Sequence, residues 1–124
     1  MYMTANIIFA YTRAQAIADG VLVDVTKTAN EAGFRVSVAM TDTVHAEYVQ
    51  VPAGVEGQDE EGRLWDILWM CSLEARRQKE NSVILFSVLV QNSNRGPKKI
   101  DLKCVCGPDD EGAPCLTIMR PGED

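Results

Sequence analysis

The sequence holds a single histidine, no apolar run of eighteen residues, and fewer basic than acidic side chains. Each scarcity excludes a class of function. His45 would need a Ser or Cys nucleophile and an orienting carboxylate beside it to act as a catalytic base. On a short helix with Glu47 and Tyr48 nearby it reads as a surface or boundary residue. The longest apolar stretches, VILFSVLV and RLWDILWM, fall short of the roughly twenty residues a bilayer span takes. The opening MYMTANIIFAYTR lacks the basic leader, apolar core and small-residue cleavage site of a secretory signal. A cytoplasmic location with reduced cysteines is therefore expected. Twelve Lys and Arg against eighteen Asp and Glu leave a net charge of −6 and no basic stripe to track phosphates, so direct nucleic-acid binding is not expected. There is no G-x-S-x-G, no P-loop and no G-x-G-x-x-G, and no cofactor is expected.

What is present describes a fold. Residues 1–124, 46% apolar and 24% charged, suit one soluble domain with a real core. TRAQAIADG carries a capping box, with Thr12 as N-cap, Gln15 three residues on and Gly20 as the stop. TANEAGF repeats the pattern with Thr28, Glu31 and Gly33, and VLVDVT between them is a short strand or a packed turn. FRVSVAM alternates as a strand with one wet face, and TDTVHAEYV makes one or two helical turns capped by Thr41 or Asp42. PAGVEGQDEEG is a loop.

The longest helix is predicted over 59–79. Asp59, Glu60 and Glu61 fill its first turn and Arg76, Arg77 and Lys79 its last, complementing the helix dipole. Leu64, Ile67, Leu68, Cys71 and Ala75 form its apolar stripe, which Trp65 and Trp69 widen beyond one buried face, so that one indole is left outside. VILFSVLV, apolar at all positions but Ser87, reads as a central strand covered on both faces. KKIDLKCVC and CLTIM complete a three-stranded meander, and the terminal RPGED reads as frayed. The expected architecture is α+β: an antiparallel sheet with a C-terminal three-stranded meander, packed against one long helix and short N-terminal helices.

Three of the four cysteines flank the loop in KCVCGPDDEGAPCLTI. Strand alternation puts Ile100, Leu102, Cys104 and Cys106 on the core face. Leu116 and Ile118 then belong to the core and Cys115 turns away. Turning Cys115 inward instead would leave Leu116 and Ile118 wet, at about 1.5–3 kcal/mol each. Thiols split between two faces do not converge on a tetrahedral zinc, and C-x-C-x8-C lacks paired knuckles. The cysteines therefore read as structural and no metal is expected.

FAYTRAQAIADGVLV resembles in outline the start of ADP-ribosyltransferase-like folds, through Tyr11, Thr12, Ile17 and Gly20, although the leading His is absent. That resemblance implies a reduced transferase modifying a host protein. Across nearly the whole chain, YTRAQAIADGVLVDVT, EAGF, GQDEEGRLWDILWM and CVCGPDDEGAPCLTIMRPGED resemble a family of small uncharacterised proteins carried by phages, plasmids and integrated elements of proteobacteria. The family implies no catalytic residues. Its genomic setting implies an accessory factor or an inhibitor of host defence, of anti-CRISPR type.

With the acidic balance, the leading expectation is a non-enzymatic protein that binds a basic surface of a host or defence-system protein and competes there with nucleic acid. Its expected contacts are Asp59, Glu60, Glu61, Asp109, Asp110 and Glu111. A third reading is a homodimeric regulatory module, joined through an exposed edge strand or the Trp65/Trp69 surface.

Overall fold

The computed structural model describes residues 11–123. The N-terminal stretch read above for a leader lies largely outside them, as does Asp124. In chain order the elements are α1 (Arg13–Ala18), β1 (Leu22–Asp24), α2 (Thr26–Glu31) and β2 (Ser37–Thr41). Next comes α3, an α-helical turn over Asp42–Val44 that widens into a π-helix over His45–Val49, followed by α4 (Glu60–Arg77). The strands β3 (Val83–Val90), β4 (Lys98–Pro108) and β5 (Pro114–Met119) close the chain.

The capping box on α1 forms as read: Gln15 N donates to Thr12 Oγ1 and Thr12 N donates to Gln15 Oε1, both at 3.0 Å. Gly20 and Gly33 follow the two short helices at φ +78° and +104°, the left-handed conformation a side chain resists. The second expected box does not form. Helix α2 begins two residues earlier than Thr28, after Val25, because Asp24 accepts from both Thr26 N (3.0 Å) and Thr26 Oγ1 (2.6 Å) and so starts the turn itself.

The five strands form one open sheet in the order β1-β2-β5-β4-β3. The expected meander β3–β4–β5 is present with antiparallel pairing, but β2 joins β5 in parallel, with Ser37 opposite Cys115 and Met40 opposite Ile118. The sheet is thus mixed rather than antiparallel throughout. Its inner face carries a continuous row, Ile84–Cys104–Ile118–Met40, across four strands. Beside it pack Phe86, Leu102, Val38 and Leu116, and over them lie Ile67, Leu68 and Cys71 of α4, Ala29 and Ala32 around α2, and Val44 and Val49 of α3. Among the described residues the outer face is covered on one side only: α1 sits against β5, where Arg13 Nη1 and Nη2 donate to Thr117 Oγ1 (2.6 Å) and Leu116 O (2.7 Å).

Residues 120–123 are not frayed, contrary to expectation, and Asp124 lies outside the described residues. The Glu123 carboxylate accepts from Thr41 Oγ1, Thr43 Oγ1 and Arg120 N at 2.8–3.0 Å, which folds residues 120–123 back over the end of β2. These bonds hold the Glu123 carboxyl below the usual carboxylate range even though burial opposes them.

Candidate protein-interaction surface

Helix α4 is capped by Asp59, whose Oδ2 accepts from Gly62 N at 3.0 Å, with Glu60 and Glu61 in its first turn and Arg76 and Arg77 in its last. One turn beyond Glu61 stands Trp65 and one turn further Trp69, their rings stacked with centroids 6.2 Å apart and planes 10° from parallel. Both indoles are wet, at 37% and 41% exposure, so the stripe overshoots the core by two tryptophans rather than one. Asp59, Glu61 and Trp65 share a shallow groove of about 480 Å³ beside the start of the helix. Glu60 is exposed next to it.

This end of the sheet is fastened by Arg63, a residue the sequence reading passed over. Its buried guanidinium donates to Val49 O (Nε, 3.2 Å), Gln91 O (Nη1, 2.6 Å) and Asn92 Oδ1 (Nη2, 2.6 Å), tying α3, α4 and the end of β3 together. Burial pushes its pKa below the usual arginine value. The signal was present in the stripe: Arg63 lies four residues before Ile67, on the face turned inward.

The second acidic triplet differs. Asp110 receives α1: its Oδ1 accepts from Arg13 N at 2.8 Å and its Oδ2 from Ala14 N at 3.0 Å. These two N–H bonds, with the Arg13 charge nearby, hold the Asp110 carboxyl below the usual range. Asp109 folds the turn, its Oδ1 accepting from Glu111 N and Ala113 N, each at 2.9 Å. Only Glu111 has a side chain with no bond among the described residues. The two triplets are not brought together. Lys98 pairs with Val90 near the Arg63 clamp, whereas Pro108 pairs with Pro114 ten residues along β4, so about 30 Å of strand separates the two ends.

The cysteines need one correction. Cys104 is buried and faces Cys71 of α4; the neighbouring Cys104 thiol, together with burial, pushes the Cys71 thiol far above its usual range. Cys106 has the right alternation for the core but is exposed, because β4 outruns the inner layer there and Ser82 O takes its N–H at 2.8 Å. Cys115 does turn to the outer face, as alternation requires, yet it is only 3% exposed. Burial raises its pKa despite the nearby Arg13 charge.

The largest correction concerns VILFSVLV. Among the described residues it is β3, an edge strand and not a central one. Ile84, Phe86, Val88 and Val90 enter the core, while Val83, Leu85 and Leu89 point outward at 45%, 61% and 63% exposure. A continuous apolar run does not distinguish a doubly covered strand from an uncovered one, and here nothing among the described residues lies over the outer face. Each large aliphatic left wet forgoes about 1.5–3 kcal/mol of burial.

The residues behind the transferase resemblance build the start of the fold. Thr12 caps α1, Tyr11 Oη donates to Asp19 Oδ2 at 2.6 Å, and Gly20 ends the helix. That bond raises the Tyr11 pKa. His45 is half-buried at the boundary, where its carbonyl accepts from Gln50 N, the wide bond of the π-helix. No helix among the described residues is long and apolar enough to cross a membrane.

Fold and surface together define a small α+β protein with an open mixed sheet, one amphipathic helix, and exposed aromatic and aliphatic side chains beside carboxylates. Residues 1–124 match the model of a family of unknown function, DUF6573, and the chain belongs to that family. Comparison with curated proteins and with solved structures finds no match.

Proposed function

We propose that the protein acts by binding another protein through the Trp65 end of α4, and that its partner presents a basic surface. The observation that carries this reading is the exposed Trp65–Trp69 stack, whose Trp65 shares one groove with Asp59 and Glu61. An indole face attracts a guanidinium or ammonium, and adjacent carboxylates pair with the same cation. Tryptophan is also the side chain most enriched at binding hot spots. Glu60 extends the acidic rim. At the far end of the sheet Asp109 and Asp110 are engaged within the fold, so of that triplet Glu111 alone acts as a second, weaker contact.

The narrower form of the reading places the protein in the cytoplasm of proteobacteria, carried by phages or plasmids, as an anti-CRISPR-like inhibitor that competes with nucleic acid for a basic surface. The net charge of −6 supports the competition, since acidic proteins are steered to such surfaces. The test is a titration with an arginine-rich peptide, read by tryptophan fluorescence at low and high salt. The expected result is saturable binding that weakens with salt, is lost in Trp65→Ala and in Asp59→Asn/Glu61→Gln, and is only slightly weakened by Glu111→Lys. Equal binding by wild type and Trp65→Ala would reject the site. For the narrower form, adding the protein to a defence nuclease must displace its nucleic acid.

A further inference from the structure

We propose that the open edge of β3 is a self-association surface on which two copies pair β3 with β3, antiparallel, about a two-fold axis at Val88. This goes beyond the reading above, because it uses the backbone edge of β3, although Trp69 of the stack and Asp66 line the groove beside that edge. Cys106 N donates to Ser82 O directly across the β3–β4 ladder, which makes the even-numbered residues of β3 the ones bonded to β4. The N–H and C=O of Val83, Leu85, Ser87 and Leu89 therefore point off the sheet. Two side chains of α4 and its C-terminal cap bound this edge: Gln78 Nε2 donates to Leu85 O at 3.1 Å, and Arg63 Nη1 takes Gln91 O at 2.6 Å. Between them Ser87 and Leu89 keep four backbone groups with no partner among the described residues. The two-fold at Val88 sets Ser87 of each copy against Leu89 of the other and pairs all four groups of each copy; the next position, Leu85 opposite Gln91, is where Gln78 and Arg63 end the ladder.

Three observations select a second copy as the occupant. Strand edges are ordinarily blunted by charge, proline or a bulge, whereas Val83–Val90 has none of these and keeps one unbroken register with β4. The same window is self-complementary in antiparallel pairing, so a single isologous contact covers both edges and both Leu89 side chains. Finally, the charges match. Helix α4 runs antiparallel to β3, since Arg63 reaches Gln91 while Gln78 reaches Leu85. Asp66 and Met70 flank the window, and Leu73 and Arg77 continue that flank at helical spacing. The two-fold lays the α4 helices side by side in opposite directions and brings Asp66 of each copy toward Arg77 of the other. Arg77 is exposed and its described ion pair is with Glu74 at 2.8 Å.

The test is sedimentation of the full chain from micromolar to hundred-micromolar concentration, together with amide exchange resolved at single residues. The expected particle has twice the 13.7 kDa chain mass. Ser87 and Leu89 amides should slow as the dimer forms, and Leu89→Lys should weaken dimerisation by more than about tenfold. A wild-type monomer at the highest concentration overturns the proposal. So does a dimer that is indifferent to Leu89→Lys, or one in which both amides exchange as fast as in the monomer. Slow exchange of both amides in a monomer would assign the edge to residues 1–10 of the same chain and would equally overturn it.

Discussion

The two ends of the sheet carry acidic triplets that look alike, Asp59–Glu61 and Asp109–Glu111, and the fold puts them to opposite uses. At the first end a buried cation, Arg63, gathers carbonyl oxygens, and the carboxylates stay outside, Asp59 capping its own helix. At the second end the carboxylates do the gathering: Asp110 takes two N–H groups of α1 and Asp109 takes two of its own turn. Whether an acidic run is surface or structure depends on whether an N–H group from elsewhere in the chain arrives beside it.

The difference can be broken most forcefully at Arg63. Arg63→Ala leaves Val49 O and Gln91 O without their donor, and a loss of about 3 kcal/mol is expected in urea unfolding. A loss within error would show that the clamp is not what holds the first end. Next in size is Asp110→Asn, which should lower the unfolding midpoint and speed exchange of the Arg13 and Ala14 amides. It should also open Cys115 to a thiol reagent: one thiol per native wild-type chain, that of Cys106, is expected to react, and two in the variant. An unchanged thiol count would mean that Cys115 is shielded by something other than α1. The acid response sharpens the same point. Asp110 and Glu123 both have pKa values depressed by folding. Their stabilisation is therefore complete above the usual carboxylate range and is lost as pH falls through the folded-state values. Asp110→Asn should flatten part of that acid limb. The smallest effect is expected from Glu60→Gln/Glu61→Gln, which should lower the unfolding midpoint only slightly, through the lost complement to the helix dipole, while weakening the peptide binding described above.

What could be read from the chain was local. The Thr12 box and the stripe of α4 rest on residues within a few positions of one another and the meander on strands next to one another in the chain, and all are present; Asp59, read as part of the first turn, is instead its cap. What escaped depended on distant partners. The parallel β2–β5 pair joins residues far apart in sequence, and Asp110 meets α1 almost a whole chain length away. The environment of VILFSVLV was beyond reach for a different reason: hydrophobicity reports what a strand would gain from cover, not whether cover is supplied. Within the proposed site, Asp59, Glu61 and Trp65 were legible because they stand on one helix. Arg63 was legible in position and missed in meaning, since an arginine on an apolar stripe is ordinarily a snorkelling side chain.

The parallel pair has a consequence for how the molecule assembles. In the order β1-β2-β5-β4-β3 the fifth strand is the middle one, so the antiparallel pair β1–β2 joins β3 and β4 only through β5. Folding must then wait on a long-range closure, the kind of step that makes a topology slow. A chain cut before Pro114 loses the centre of its sheet rather than an edge. It should separate into two fragments of sheet, each with a raw flank, which makes truncated chains the form of this protein most prone to aggregate.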